Sequence, residues 1–125
     1  MKIQDIIQAL ELVENLGIDN QPEEAQDTAE LPRRVIVRGD RSGVFYGTIV
    51  ARNGTEVTLK DCRHIWYWSG AANTAEIANS GVSKPDDCKI VAPVSRILVL
   101  DAIEVLDCTP EAVVSLDAVQ YWSKR

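Results

Sequence analysis

The residues best suited to chemistry lie together between Cys62 and Ala72. This stretch contains His64, which is the single histidine of the chain and stands two positions after a cysteine. Such a pair offers two ligands to a metal, but a zinc site needs three or four, and no second cluster supplies the rest. A nucleophilic pair needs hydrogen-bond contact, whereas alternate residues of a strand stand about 6–7 Å apart. We therefore predict no metal, no cofactor and no enzyme activity.

Three consecutive aromatic residues follow, namely Trp66, Tyr67 and Trp68. Successive side chains of a strand point to opposite faces, so His64, Trp66 and Trp68 are expected on one face. Tryptophan rings on a surface can stack on nucleobases. The alternative is that these rings fill the core or a contact between subunits. Residues 69–72 are small and join this strand to a predicted helix, where free backbone N–H groups can hold a phosphate.

Three arginines complete this candidate site. Arg38 and Arg41 lie at a predicted turn, and Arg63 lies within the aromatic stretch. A guanidinium group forms paired hydrogen bonds with phosphate or carboxylate groups. The sequence therefore predicts a site for a small phosphorylated or nucleotide-type ligand. Its candidate residues are Arg38, Arg41, Arg63, His64, Trp66, Trp68, Ser69 and Gly70.

The acidic charge of the protein is confined to its N-terminal part. The chain has 125 residues and a formal net charge of −6. Residues 1–31 contain one basic and eight acidic side chains, whereas residues 32–125 contain twelve and eleven. Neither part has the clustered lysine and arginine that follow a nucleic-acid backbone, so long nucleic acids are not expected as partners. No apolar run reaches the roughly 20 residues that span a membrane, and no signal peptide is evident, which predicts a cytoplasmic protein.

The first 18 residues have the pattern of an amphipathic helix. Apolar residues recur at helical spacing between polar ones, and Gly17 is placed to end the helix. Residues 19–32 are acidic and poor in apolar side chains, which is typical of a linker. A tethered apolar stripe docks on its own domain, pairs with copies of itself or binds another protein; we favour the first two and expect a homo-oligomer. The stripe comprises Ile3, Ile6, Ile7, Leu10, Val13 and Leu16.

Residues 33–125 form the predicted body domain, which is rich in strand patterns. Short turns join the first four patterns, and Asn53-Gly54 favours a type I′ hairpin turn. Gly47 would allow the sharp bend of a small barrel. The apolar run from Ile97 to Ala102 is expected to be covered on both faces. The strand patterns cover residues 34–38, 44–52, 56–60, 62–68, 88–92, 95–100 and 102–106.

Two short helices are expected among these strands. Asn73 followed by Glu76 has the form of a capping box, and Gly81 follows the helix. Thr109 and Pro110 supply the N-cap hydroxyl and the first-turn proline of the second helix. The fold class is therefore predicted as α+β, with a bent antiparallel sheet or a small SH3-like barrel, short helices and the tethered N-terminal amphipathic helix.

From Arg34 to Trp122 the chain resembles a family of small proteins of unknown function that bacteriophages and prophages encode. The resemblance rests on R-V-I-V-R-G-D-R-S-G-V-F-Y-G from residue 34, I-W-Y-W-S-G-A-A from residue 65 and S-R-I-L-V-L-D-A-I-E-V-L-D-C-T from residue 95. It implies a phage origin and no established activity, so it carries over no functional residues. It also implies a location in the host cytoplasm, with association with the virion as the alternative.

Small phage proteins of this type include anti-defence sponges, which sequester nucleotide-derived immune signals without catalysis. We therefore expect non-catalytic binding or sequestration of a small phosphorylated or nucleotide-type ligand. The alternative is a phage structural or assembly protein, or a host-protein interaction module, that docks through residues 1–18.

Overall fold

The computed structural model describes residues 31–124. They form a mostly antiparallel six-stranded sheet with two short helices, which agrees with the predicted α+β class. The helix predicted at residues 1–18 lies outside the described residues, as does nearly all of the predicted linker. The strands are β1 (Arg33–Gly39), β2 (Val44–Asn53), β3 (Glu56–Tyr67), β4 (Lys89–Ile90), β5 (Val94–Val99) and β6 (Ala102–Asp107), and the helices are α1 (Thr74–Ser80) and α2 (Pro110–Asp117).

The sheet is built around β3, which has neighbours on both sides. β2 pairs along one side, whereas β5 and β4 pair with the first and last parts of the other side. β1 lies between β2 and β6. The chain passes from β5 to β6 through Leu100 and Asp101, so this corner joins the two ends of the strand order. The Asp40 N–H donates to the Asp101 carbonyl at 2.9 Å, and the Ala102 N–H donates to the Thr55 carbonyl at 3.1 Å.

The long strand β3 bends at Asp61, which is the one described non-glycine residue with a positive φ (49°). The pairing with β2 shifts register here, and Gly47 lies opposite the irregular position. A Cβ atom on this glycine would come within 3.0 Å of the Cys62 Cα atom. The close approach of the two backbones explains why glycine is needed at the bend. Two predicted strand patterns are therefore one continuous, bent strand.

Two hydrophobic clusters cover opposite faces of β1. Val35 and Val37 point into one cluster, which lies among the strands, whereas Ile36 points into the other, which includes both helices. All three side chains are fully buried. The helical cluster also contains Ile77 from α1 and Leu116 from α2. The sheet is thus packed on both faces at β1.

Both helices begin as the sequence predicts. The Asn73 side chain accepts from the Glu76 N–H at 3.0 Å, and the Glu76 carboxylate accepts from the Ala72 N–H at 2.7 Å. The Thr109 hydroxyl accepts from the Ala112 N–H at 3.1 Å at the start of α2. These reciprocal bonds satisfy N–H groups that have no partner within a helix.

The hairpin between β2 and β3 forms, but its turn differs from the predicted type I′. Asn53 pairs with Glu56, so the central residues are Gly54 and Thr55. Gly54 has a φ of +63°, whereas Thr55 is outside the left-handed region. Type I′ needs positive φ at both central residues, while type II′ needs it only at the first. The I′ prediction was wrong because Asn53 belongs to the strand rather than to the turn.

The prediction that the run from Ile97 to Ala102 is covered on both faces was also wrong. Val99 is buried, but Leu98 is 47% exposed and Leu100 is 60% exposed. Val99 pairs with the buried Val57 of β3, so alternate residues of β5 must point away from the core. Among the described residues, this outward side of β5 stays largely uncovered.

Candidate functional site

A shallow pocket of about 340 Å³ forms where the end of β3 meets the turn between β1 and β2. His64 and Trp66 of β3 lie in its wall together with Trp68, which follows the end of β3. The turn contributes Ser42 and Gly43. We call this the aromatic pocket; it is lined by Ser42, Gly43, Val44, His64, Ile65, Trp66 and Trp68.

The two tryptophans of the aromatic pocket differ in exposure. Trp66 is 62% exposed. Trp68 is partly buried against the helical cluster, and its indole Nε1 donates to the Ala71 carbonyl at 3.2 Å. Trp68 is therefore held in place by the fold, whereas Trp66 keeps most of its ring surface available for contact.

The His64 ring is positioned by stacking on Phe45, with ring centroids 4.9 Å apart and an angle of 17° between the planes. Burial lowers the pKa of His64 below its ordinary value of 6.5, so the imidazole is neutral near pH 7. Its ring nitrogens make no hydrogen bond to any other described residue. A neutral imidazole has one donor and one acceptor. The His64 Nε2 lies close to Gly43, where a Cβ atom would come within 2.6 Å of this nitrogen.

The lowered pKa of His64 makes a prediction about stability. In the window between its folded pKa and 6.5, the unfolded chain binds more protons than the folded one, so the free energy of unfolding falls as the pH falls through this window. We expect His64→Gln to reduce this pH dependence. Urea unfolding of both proteins between about pH 8 and pH 5 measures it. Parallel curves for the two proteins would contradict the described environment of His64.

Two residues that the sequence did not single out, a cation and a further aromatic ring, lie beside Trp66. Trp122 stacks against Trp66 with centroids 5.9 Å apart. The Lys89 ammonium lies 5.8 Å from the Trp66 ring centroid and 5.4 Å from that of Trp122. Strand β4 brings Lys89 here by pairing with β3, and the Trp122 N–H donates to the Ile90 carbonyl at 2.9 Å. No local pattern reveals this group, because two distant segments meet on β3.

Arg63 is buried beneath the aromatic stretch rather than placed in the pocket. Only 3% of the residue is exposed. Its guanidinium group donates four hydrogen bonds of 2.9–3.0 Å, all to backbone carbonyls. These bonds tie β3 to the loop after β4 and to the end of α2. The Arg63 guanidinium group therefore bonds within the protein and is not available to a ligand. Its acceptors are the carbonyls of Ile90, Val91, Leu116 and Val119.

The other two candidate arginines flank the turn after β1. The Arg38 guanidinium lies 3.9 Å from the Glu104 carboxylate. The Arg41 N–H donates to the Asp101 carboxylate at 2.8 Å, while its guanidinium forms no ion pair within the described part of the chain. Arg41 lines a neighbouring groove and not the aromatic pocket. Ser42 borders both cavities, so the Arg41 side chain belongs to the surroundings of the pocket.

Two N–H groups of the junction at residues 69–72 already have partners. The Ser69 N–H donates to the Cys88 sulfur at 3.4 Å, and the Ala72 N–H donates to the Glu76 carboxylate. Gly70 has a φ of +91° and packs against the loop before β4. A phosphate that binds the Ala72 N–H would have to displace the Glu76 carboxylate.

Buried thiols and scattered carboxylates dominate the remaining titratable groups. Burial raises the pKa of both Cys62 and Cys108 to about 12, which keeps these thiols protonated near pH 7.

Within residues 31–124, no three histidine, cysteine or acidic side chains come together as a metal site would require. In the same residues, no helix has the length and apolar character needed to cross a membrane.

Comparison with known proteins gives one match. Residues 32–116 match the profile of DUF6948, a domain of unknown function. No curated protein and no solved structure matches the chain at a significant level. The matched range contains all strands of the sheet and every residue of the aromatic pocket.

Proposed function

We propose that this chain, which belongs to the DUF6948 family, captures a small nucleotide-type ligand in the aromatic pocket and releases it unchanged. One observation carries the proposal: Trp66, Trp68 and the neutral His64 line one pocket. Stacking on an aromatic side chain stabilises a bound base by about 1–3 kcal/mol. A planar heteroaromatic ring is the ligand group that such a wall accommodates best.

The groups around the rings suit the polar parts of a nucleotide. The His64 imidazole makes no hydrogen bond to the described residues and offers a polar group for the edge of a base. The Lys89 ammonium beside Trp66 and the Arg41 guanidinium near the turn are the cations available for phosphate groups. Arg38 is a weaker candidate, because Glu104 lies beside it. Arg63 and the junction at residues 69–72 have internal roles and are not included in the proposed contacts.

Capture without reaction is favoured by the chemistry of the pocket. Its one titratable side chain is His64, and the fully buried Cys62 thiol is protonated and removed from the surface. These features favour binding without reaction, and anti-defence sequestration by a phage protein in the host cytoplasm is the biological role we propose. The strand order β5-β3-β2-β1-β6, with β5 continuing into β6 at a corner, supports an SH3-like barrel as the scaffold.

A thermal-unfolding screen with linear and cyclic nucleotides, including ADP-ribose, tests the proposal. Ligand at 100 times its dissociation constant adds about 2.7 kcal/mol to the stability and raises the midpoint by several degrees. The bound compound should be recovered intact after denaturation. A flat result across the panel, or a chemically altered compound, would contradict the proposal.

Trp66→Ala is the matching variant. We expect it to fold and to bind about 5–150-fold more weakly, since it loses one stacking contact of about 1–3 kcal/mol. Tyr67→Ala is the control, because Tyr67 is also half-exposed but does not line the pocket. Calorimetric titration compares the two. Equal affinity of the two variants for the ligand would contradict binding in the aromatic pocket.

The alternative function is a protein-interaction or virion-assembly role through residues 1–18. The predicted apolar stripe between Ile3 and Leu16 favours it, because an amphipathic helix must bury that stripe against another surface. Deleting residues 1–31 should then abolish partner binding or change the assembly state. Unchanged assembly and partner binding after the deletion would exclude this alternative.

A further inference from the structure

A second cavity, an apolar groove of about 440 Å³, lies along β5 on the other side of the β1–β2 turn. Leu98 and Leu100 provide its exposed rim at 47% and 60% exposure. Phe45 and Ile97 lie in its wall. We call this the β5 groove; Arg41, Ser42 and Asp101 form its polar end, and its apolar part is suited to aliphatic side chains.

Two like charges stand beside the β5 groove on its outward side. Arg96 of β5 is paired directly with Lys60 of β3, and both residues are exposed. Both share a face with Leu98, because alternate residues of a strand point the same way. Like charges directly opposite each other destabilise a sheet. No acidic side chain in residues 31–124 forms an ion pair with either of them, so this surface is complementary to an acidic apolar segment.

The N-terminal segment of the same chain has this composition. Its predicted helix carries an apolar stripe, and residues 1–30 contain eight acidic side chains and one lysine. The stripe from Ile3 to Leu16 would be about 20 Å long as a helix, which is about the length of the six-residue strand β5. The linker that follows can span as much as about 50 Å when extended, so it reaches any side of a domain of this size.

We propose that residues 3–16 dock in cis on the β5 groove, with the apolar stripe over Leu98 and Leu100 and acidic side chains near Arg96 and Lys60. Docking in cis is favoured over docking on a second copy, because a short tether gives an effective concentration of about 1 mM or more. The β5 groove and the aromatic pocket share Ser42, and Arg41 lines the β5 groove, so docking is tested without added ligand.

Methyl-labelled full-length protein tests this directly by NMR. We expect nuclear Overhauser contacts between methyl groups of the stripe and those of Leu98 and Leu100. A sample that mixes labelled with unlabelled chains separates contacts within a chain from contacts between chains. Contacts found only between chains would show that a second copy fills the groove and would overturn the proposal. Absence of contacts between the stripe and the groove would overturn it as well, and a foreign partner would then be the remaining occupant.

Two variants in the full-length chain provide the control. Leu10→Asp places a charge in the middle of the stripe and should abolish the contacts, with faster amide exchange in residues 97–100. Gln8→Asp adds the same charge about 160° away around the helix, on the polar face, and should leave both readouts unchanged. Loss of the contacts in both variants, or in neither, would contradict docking through the stripe.

Discussion

Replacing Arg63 with methionine is expected to lower the free energy of unfolding by about 3–5 kcal/mol. Methionine fills similar space but donates no hydrogen bonds, so four backbone carbonyls lose a guanidinium donor. The Ile90 carbonyl keeps the Trp122 N–H and the Leu116 carbonyl keeps the Val119 N–H, so these two remain partly satisfied. A buried unsatisfied acceptor costs about 1–3 kcal/mol, and water entering the site relieves part of this. Because domains of this size are stable by only about 5–15 kcal/mol, the variant should be near the limit of folding. Urea unfolding measures the change.

Two further variants separate the hydrogen bonds of Arg63 from its charge. Arg63→Lys keeps a cation but cannot reproduce the planar fork of donors, so we expect it to recover only part of the loss. Arg38→Met removes an arginine whose contact with Glu104 is long and half-exposed, and it should change the stability by less than about 1 kcal/mol. An Arg63→Met variant as stable as Arg38→Met would contradict the structural role of Arg63.

The second large effect is expected from Gly70→Ala, which should destabilise the fold by about 2–4 kcal/mol. Gly70 has a φ of +91°, which is unfavourable for alanine. A Cβ atom there would also lie 2.5 Å from the Lys84 backbone nitrogen. The loop is held at this distance because the Ser83 N–H and hydroxyl both donate to the Gly70 carbonyl at 3.2 Å. Thermal and urea unfolding measure the loss.

Gly54→Ala is the matched control for this substitution. Gly54 also has a positive φ, but a Cβ atom would meet nothing within 4 Å. It should therefore cost only the backbone strain, about 1–2 kcal/mol. If Gly70 were instead a phosphate contact, Gly70→Ala would remain as stable as Gly54→Ala and lose only ligand affinity. That outcome would restore the junction at residues 69–72 to the binding site.

Local signals in the sequence predict the local structure well. The reciprocal cap at Asn73 and Glu76, the hydroxyl cap at Thr109 and the bend at Gly47 each depend on residues close in the chain or on one backbone contact. His64, Trp66 and Trp68 also meet at one pocket, although Trp68 lies beyond the end of β3 and packs against the helical cluster.

The parts that the sequence does not predict depend on contacts between distant segments. An arginine beside tryptophans has the same local pattern whether it faces solvent or, like Arg63, bonds to carbonyls up to 56 residues away. Lys89 joins the tryptophans only because β4 pairs with β3. The apolar run after Ile97 has one buried face, and its other face is exposed among the described residues. The composition of such a run does not distinguish a half-exposed strand from a fully buried one.

The most direct test of the proposed function is an NMR titration of the full-length protein that follows the indole N–H signals of its three tryptophans. Increasing amounts of ADP-ribose and of the other nucleotides in the screen are added. The account predicts saturable shifts of the Trp66 and Trp68 signals with at least one of these compounds. Binding that leaves both signals unchanged, or no saturable shift with any compound, would contradict a nucleotide site in the aromatic pocket.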